Sequence, residues 1–165
     1  MNSHQCSVAA ESFTATLFAW AGYDISVQYG ADQPEYDLVA VCGEKMVKVS
    51  VKGSQDGGWG LTQSYKKDRT YSEAIDFWVN KHKGRTIVSL VQFKGVDIEE
   101  GEMPRVYLAT PQEIGEYMKQ SRGGNGYTVA REFHKYQSGI ATGHIDQIPS
   151  MWKFSKQRID QLIIY

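Results

Sequence analysis

From Met46 to Lys52 the chain alternates without a break. Val47, Val49 and Val51 fall on one side of an extended strand, and Lys48, Ser50 and Lys52 on the other. Tyr36 to Cys42 (YDLVAVC) is a second strand, and Gly43-Glu44 between the two reads as a two-residue turn, so together they predict a hairpin. Asp24 to Tyr29 (DISVQY), ended by Gly30, supplies a strand ahead of it. Before these, Ser7 to Tyr23 (SVAAESFTATLFAWAGY) predicts a helix closed by Gly22 and apolar on most sides. Its only charge is Glu11, and such a helix is expected to be buried against a sheet.

After the hairpin, Gly53 to Thr62 (GSQDGGWGLT) is glycine-rich and reads as loop. Thr70 with Glu73 matches a capping box, opening a helix whose apolar face is Tyr71, Ala74, Ile75 and Trp78. Thr86 to Phe93 predicts a buried strand and Arg105 to Ala109 another. Thr110, Pro111 and Glu113 then open a further helix, with cap, proline and acid at the expected places. Ser121 to Tyr127 (SRGGNGY) reads as a flexible loop, and a last helix near Ser155 packs Ile159, Leu162 and Ile163 inward. Trp20, Trp78 and Trp152 sit in apolar patterns and are expected in the core. The order αβββαββα with a mixed sheet predicts an α/β fold.

Composition narrows the class. A chain of 165 residues is one domain's worth, and 41% hydrophobic with 22% charged residues is a globular rather than a disordered balance. The longest apolar stretch, Thr86 to Phe93, is too short to span a bilayer, and Met1 to Ala10 has no basic residue to open a signal peptide. Cys6 and Cys42 form no Cys-x-x-Cys pattern, so neither a disulfide framework nor a zinc finger is indicated. A soluble, cytoplasmic, single domain over residues 1–165 is the expectation, without membrane partners. The net charge of −1 hides an asymmetry: residues 1–44 hold six acids and no Lys or Arg, and every base lies beyond them. That pattern suits a metal site beside a phosphate-binding surface, or an uneven scatter of surface charge.

The hairpin narrows the chemistry. With Cys42 opposite Lys45, counting back puts Asp37 opposite Ser50 and Lys52 diagonally across from Asp37. A carboxylate beside a lysine can hold a hard metal ion and stabilise charge developing on a phosphate; a cross-strand salt bridge is the other reading. Glu11 adds to the first, because a lone carboxylate on an apolar helix is costly to bury without a partner. A helix packed on the hairpin would bring Glu11 to Asp37 and Lys52.

An acid on the first helix, an acid on one strand and a lysine on the next resemble the PD-(D/E)XK nuclease superfamily, in particular its small Holliday-junction-resolvase-like members from archaea. The resemblance covers about Ala10 to Lys52. It implies a restriction-endonuclease-like αβββαβ core with a central mixed β-sheet flanked by helices. It further implies an endonuclease hydrolysing DNA phosphodiester bonds with Mg2+ (or Mn2+). In its terms Asp37 is the principal metal ligand, Glu11 holds the metal directly or through water, and Val51 lends its carbonyl. Lys52 serves the attacking water and the transition state, and Ser50 takes the place of the motif acid. Two departures stand out: the tripeptide reads Ser50-Val51-Lys52, with no carboxylate, and Pro34 stands three places before Asp37. Glu35 and Gln55 are the nearest substitutes for the missing acid, while Glu44 at the turn is out of reach. The alternative is a catalytically degenerate domain that binds nucleic acid or a protein partner without cutting. DNA is the implied partner; many small nucleases of this kind act as homodimers, since two strands need two sites, while the sequence itself shows no interface patch and leaves the oligomeric state open.

Lys48, Trp59, Tyr65, Lys66, Lys67 and Arg69 are candidates for a nucleic-acid surface, contacting phosphates and stacking on bases, with Arg122, Lys153, Lys156 and Arg158 as further backbone contacts. Each is otherwise a solvated charge, and Trp59 and Tyr65 otherwise partly core. Gly57-Gly58-Trp59-Gly60 lacks the Lys-Ser/Thr of a P-loop. His4, His82, His134 and His144 have no metal-ligand spacing and read as surface or satisfied residues. Cys42 has no nearby histidine to make it a nucleophile.

Overall fold

The computed structural model describes residues 1–28, 35–82 and 86–163. Tyr29 and Gly30, expected to end the first strand, and Pro34, the proline ahead of Asp37, lie outside the described residues. The chain runs α1 (Ser3–Trp20), β1 (Asp24–Val27), β2 (Leu38–Cys42), β3 (Lys45–Ser54), β4 (Gly58–Gly60), α2 (Gln63–Lys66) and α3 (Tyr71–Lys81). It continues β5 (Thr86–Gln92), β6 (Arg105–Ala109), α4 (Pro111–Gly124), β7 (Val129–Arg131), β8 (Phe133–Lys135), β9 (Ile145–Gln147), a 3-10 turn (Ser150–Trp152) and α5 (Lys156–Ile163).

The central sheet has the order β1-β2-β3-β5-β6 and is mixed: β3 and β5 are parallel and the other neighbours antiparallel. Parallel neighbours need a long crossover, here the segment carrying β4, α2 and α3. One apolar layer joins α1 and α5 to the valines of β3, with Phe18, Val47, Val49, Val51 and Ile159 at its centre. The other joins α3 and α4 to the opposite sheet face through Ile75, Trp78, Val88, Leu90 and Ile114. The α/β fold with a mixed sheet between helices is therefore as the pattern predicts.

Local signals account for most element starts. Thr70 and Thr110 each accept from the backbone three residues on and are answered by Glu73 and Glu113, closing two capping boxes. A third, Asn2 with Gln5, starts α1 four residues earlier than the pattern from Ser7 suggests. Regular dihedrals in α4 stop at Ser121, and Arg122 takes φ +58°, so the glycine-rich stretch does break the helix.

Four expectations are corrected. First, α1 fully buries a single stripe, Cys6, Ala10, Thr14 and Phe18, spaced by four, with Phe13, Ala15 and Leu17 partly buried beside it and the remaining face exposed. Second, Trp20, at the end of that helix, is 79% exposed and not core, whereas Trp78 and Trp152 are buried. Third, the segment Gly53 to Thr62 is not all loop. The strand β3 runs to Ser54, and Gly58–Gly60 pairs with β7, placing Trp59 opposite Ala130. That partner lies some seventy residues away, out of reach of local propensity. Fourth, Arg158 is no surface contact. It is 4% exposed, its Nε donates to the Leu108 carbonyl (3.0 Å) and its guanidinium reaches both Glu113 oxygens at 2.7 Å. It ties α5 to β6 and α4.

The helix α1 lies unusually close to the end of β3. A Cβ on Gly53 would stand 2.8 Å from the Cys6 carbonyl and 3.0 Å from both Ala10 Cβ and Cys6 Sγ. Gly53→Ala should therefore push α1 outward and lower stability by about 1–3 kcal/mol, read by urea unfolding. Arg158→Met should cost about 2–4 kcal/mol, because it strands the Leu108 carbonyl and the Glu113 carboxylate together. Exposed Lys156→Met should cost less than about 0.5 kcal/mol, and equal losses at 156 and 158 would contradict the account.

Candidate active site

The hairpin register runs from Cys42 opposite Lys45 to Leu38 opposite Val49. One step further it becomes irregular. The Asp37 N–H donates to the Val49 carbonyl on β3 (2.9 Å), while its own carbonyl accepts from Gln28 just beyond β1 (2.9 Å). In a regular strand both groups of a residue point to the same neighbour, so Asp37 sits at a bulge-like kink. The simple count that opposed it to Ser50 stops one residue short. The kink turns the carboxylate toward β3, where Oδ2 accepts the Val51 N–H at 2.5 Å, a donor left over where β2 has ended. The Val51 carbonyl, on the same side of its strand, faces the same margin.

Two open clefts meet at this point. The first, about 420 Å³, is lined by Glu11, Asp37, Val51, Lys52, Gln55 and Asp56 among others. The second, about 410 Å³, has Glu35, Asp37, Ser50, Lys52, Lys81 and His82 in its walls. Asp37 and Lys52 belong to both and form the ridge between them. The close approach of α1 at Gly53 carries Glu11 into the first cleft, next to them. Burial and the nearby Asp37 charge hold the Glu11 carboxyl above its ordinary range, with Lys52 and His4 pulling the other way. Glu11, Asp37 and Lys52, separated by 41 positions from first to last, thus meet in space.

Of the substitutes considered for the motif acid, Glu35 alone shares a cleft with Ser50. Ser50 itself is 2% exposed. Gln55 is held elsewhere, its amide donating to the Met1 carbonyl (2.7 Å). Glu35 lies on the second cleft, and Glu44 is exposed at the turn. Asp56, also in the first cleft, is turned to its own loop, accepting from Ser54 Oγ (2.9 Å) and the Gly58 N–H (3.1 Å). Among the described residues no three His, Cys, Asp or Glu side chains gather to cage a metal ion. Two acids and a backbone carbonyl still suit Mg2+, which keeps several waters and takes only one or two carboxylates.

The candidate nucleic-acid surface divides. Trp59 is corrected to the core: it is 2% exposed, and its Nε1 donates to the Val91 carbonyl (3.2 Å), so it offers no face to a base. Tyr65 is half-buried, packed on Phe77 with the Lys81 ammonium over its ring. Lys66 covers Tyr71, Arg69 covers Phe77 and Lys48 covers Tyr36, each at about 5 Å from the ring centre, while Lys67 is exposed. Arg122 lies over Tyr127 (5.3 Å), and Lys153 and Lys156 are exposed.

His82 was not singled out from sequence. A signal existed: it follows the buried Trp78 by four residues and so shares its helix face. His144, by contrast, is satisfied as expected, 3.0 Å from buried Asp146.

No protein-family model matches the chain, and no curated protein does. Among solved structures it is similar to Hjc, a Holliday junction resolvase from the archaeal hyperthermophile Archaeoglobus fulgidus. The two are 15% identical with a TM-score of 0.41, over 64% of this chain and 73% of that one. Among the described residues no helix is long and apolar enough to cross a membrane.

Proposed function

We propose that the chain is a metal-dependent endonuclease that hydrolyses phosphodiester bonds in DNA. The observation that carries the reading is the meeting of Glu11, Asp37 and Lys52 at one cleft, beside the outward Val51 carbonyl. In it Glu11 and Asp37 hold Mg2+ or Mn2+, with Val51 as a third oxygen. When bound, the ion supplies Lewis-acid polarisation of the phosphate and its water. Lys52 places its ammonium against the charge that grows on the phosphate oxygens, from the ridge that both clefts share. The Val51 N–H orients Asp37 by holding one of its oxygens. Lys48, Lys66 and Arg69, whose charged groups lie over aromatic rings, and exposed Lys67 track the DNA backbone, and a pair of chains would serve two strands.

One observation favours a second reading, binding without cutting. Ser50 offers no carboxylate, and among the described residues no three His, Cys, Asp or Glu side chains gather to hold a metal ion. Under that reading the wild type binds DNA with strong salt dependence and leaves it intact, and Ser50→Glu gains cleavage.

Supercoiled plasmid and branched DNA, incubated with Mg2+ and then Mn2+, separate the two. The wild type should cut, and Lys52→Ala should lose about 10²–10⁴-fold in rate with DNA affinity little changed. Undiminished cutting by Lys52→Ala would remove the reading. Metal should also raise the wild-type Tm, by an amount equivalent to about 2.7 kcal/mol at a hundredfold excess over Kd, and leave Asp37→Asn unmoved.

Glu11 gives a pH signature. Its carboxyl binds its proton more tightly folded than unfolded, so its contribution is fully present below the ordinary value of 4.5 and is lost as pH rises through the raised one. At neutral pH ionised Glu11 therefore destabilises the metal-free fold. Glu11→Gln should raise the metal-free Tm at pH 7, lose that advantage below about pH 4.5, and abolish the gain from metal. A lower Tm at pH 7 would contradict the placement of Glu11.

A further inference from the structure

We propose that His82 accepts the proton of the attacking water at this site, an inference that rests on the hydrolytic reading above. Its imidazole lines the second cleft together with Asp37, Ser50 and Lys52. Nδ1 lies 2.9 Å from the Trp78 carbonyl. A carbonyl can only accept, so Nδ1 carries the proton and Nε2 keeps its lone pair. The ring also stands edge-on to the Trp78 indole, centroids 4.6 Å apart, and Trp78 is core. A base held by a hydrogen bond and by packing is fixed in tautomer and orientation, which is what general-base catalysis asks of it.

Its burial favours the neutral form. Burial lowers the imidazole below its ordinary 6.5; the Trp78 hydrogen bond and Glu35 raise it, while Lys52 on β3 and its own helix neighbour Lys81 lower it further. Asp37 and the Tyr65 phenol complete the titratable groups of the cleft wall. The site thus has a basic nitrogen across the cleft from Ser50, the position where the motif it resembles has an acid and this chain has a hydroxyl that cannot take up a proton.

The step balances. The water oxygen forms a bond to phosphorus as one of its protons passes to His82 Nε2. The bond from phosphorus to the leaving sugar oxygen breaks, and that oxygen takes a proton from solvent. His82 then returns its proton to solvent, so one water is consumed and a phosphomonoester and a hydroxyl remain.

The informative variant is His82→Asn, whose amide can still donate to the Trp78 carbonyl but provides no base. It should lower the cleavage rate by about 10²–10⁴-fold, remove the fall in rate that the wild type shows toward acid pH, and leave oligonucleotide affinity unchanged. His82→Ala should recover part of its rate with added imidazole. Independently of cutting, ¹⁵N NMR of the wild-type histidines should show His82 protonated on Nδ1. Retention of the wild-type rate and acid limb by His82→Asn, or an Nε2–H tautomer, would overturn the inference. If Lys52→Ala is inactive and His82→Asn is not, the nuclease reading stands and this inference alone falls; a wild type that does not cut brings down both.

Discussion

The site depends on how closely one helix can approach one strand. At Gly53 the backbone of β3 comes so near α1 that there is no room for a Cβ between it and the Cys6 carbonyl. The buried stripe of α1 is graded to match: Cys6 and Ala10 at the site end are small, and Phe18 at the far end is large, filling the space beside Tyr23 and Phe154. Glu11 follows Ala10 directly, so the contact that seats Ala10 also sets how far the Glu11 carboxylate reaches over the end of β3. A shift of the helix by a single methyl group's thickness would move the acid while leaving the sheet intact. This couples packing to chemistry more tightly than either cleft wall could alone.

The same margin gathers charges that repel. Glu11 and Asp37 are two anions beside a single lysine on the ridge, and burial makes their mutual repulsion harder to screen. Backbone groups offset part of this. The kink at Asp37 gives its carboxylate the otherwise stranded Val51 N–H, and that bond fixes both ends of the hairpin relative to each other. A serine at position 50 keeps a third carboxylate out of a nearly closed environment. On the hydrolytic reading this lowers metal affinity, yet it also spares the metal-free protein a further buried like charge.

Where local chemistry decided structure, the sequence was readable. The alternation of β3, the Gly43-Glu44 turn and the capping boxes at Thr70 and Thr110 each act over a few residues and define their elements as expected. Features set by distant partners were not readable. Trp59 is core because Ala130 and the Val91 carbonyl receive it, and Arg158 is buried because Glu113 waits on another helix. Trp20 failed for the opposite reason: it stands two positions past buried Phe18, about 200° further round the helix, so the indole ends in solvent. Of the candidate site, Glu11, Asp37, Ser50, Val51 and Lys52 were visible because one helix, one hairpin and one alternating strand place them. Lys81 and His82 were not, since their cleft forms only when α3 crosses from β3 to β5.

That crossover is also what gives the site two sides. Asp37 and Lys52 stand on the ridge. The α1 side presents oxygen atoms, those of Glu11 and the Val51 carbonyl, and the α3 side nitrogen groups, Lys81 and His82, beside the Ser50 hydroxyl. A carboxylate at position 50 would face the α3 side, where it would compete with Glu35 for the lysines and raise the imidazole toward its charged form. With serine there, burial first and then the charges of Lys52 and Lys81 hold the imidazole below its ordinary value, against the Trp78 hydrogen bond and Glu35. The residue that departs from the motif and the histidine that the motif does not contain are therefore linked electrostatically. On the hydrolytic reading, a serine at position 50 adds no charge that would raise the His82 imidazole.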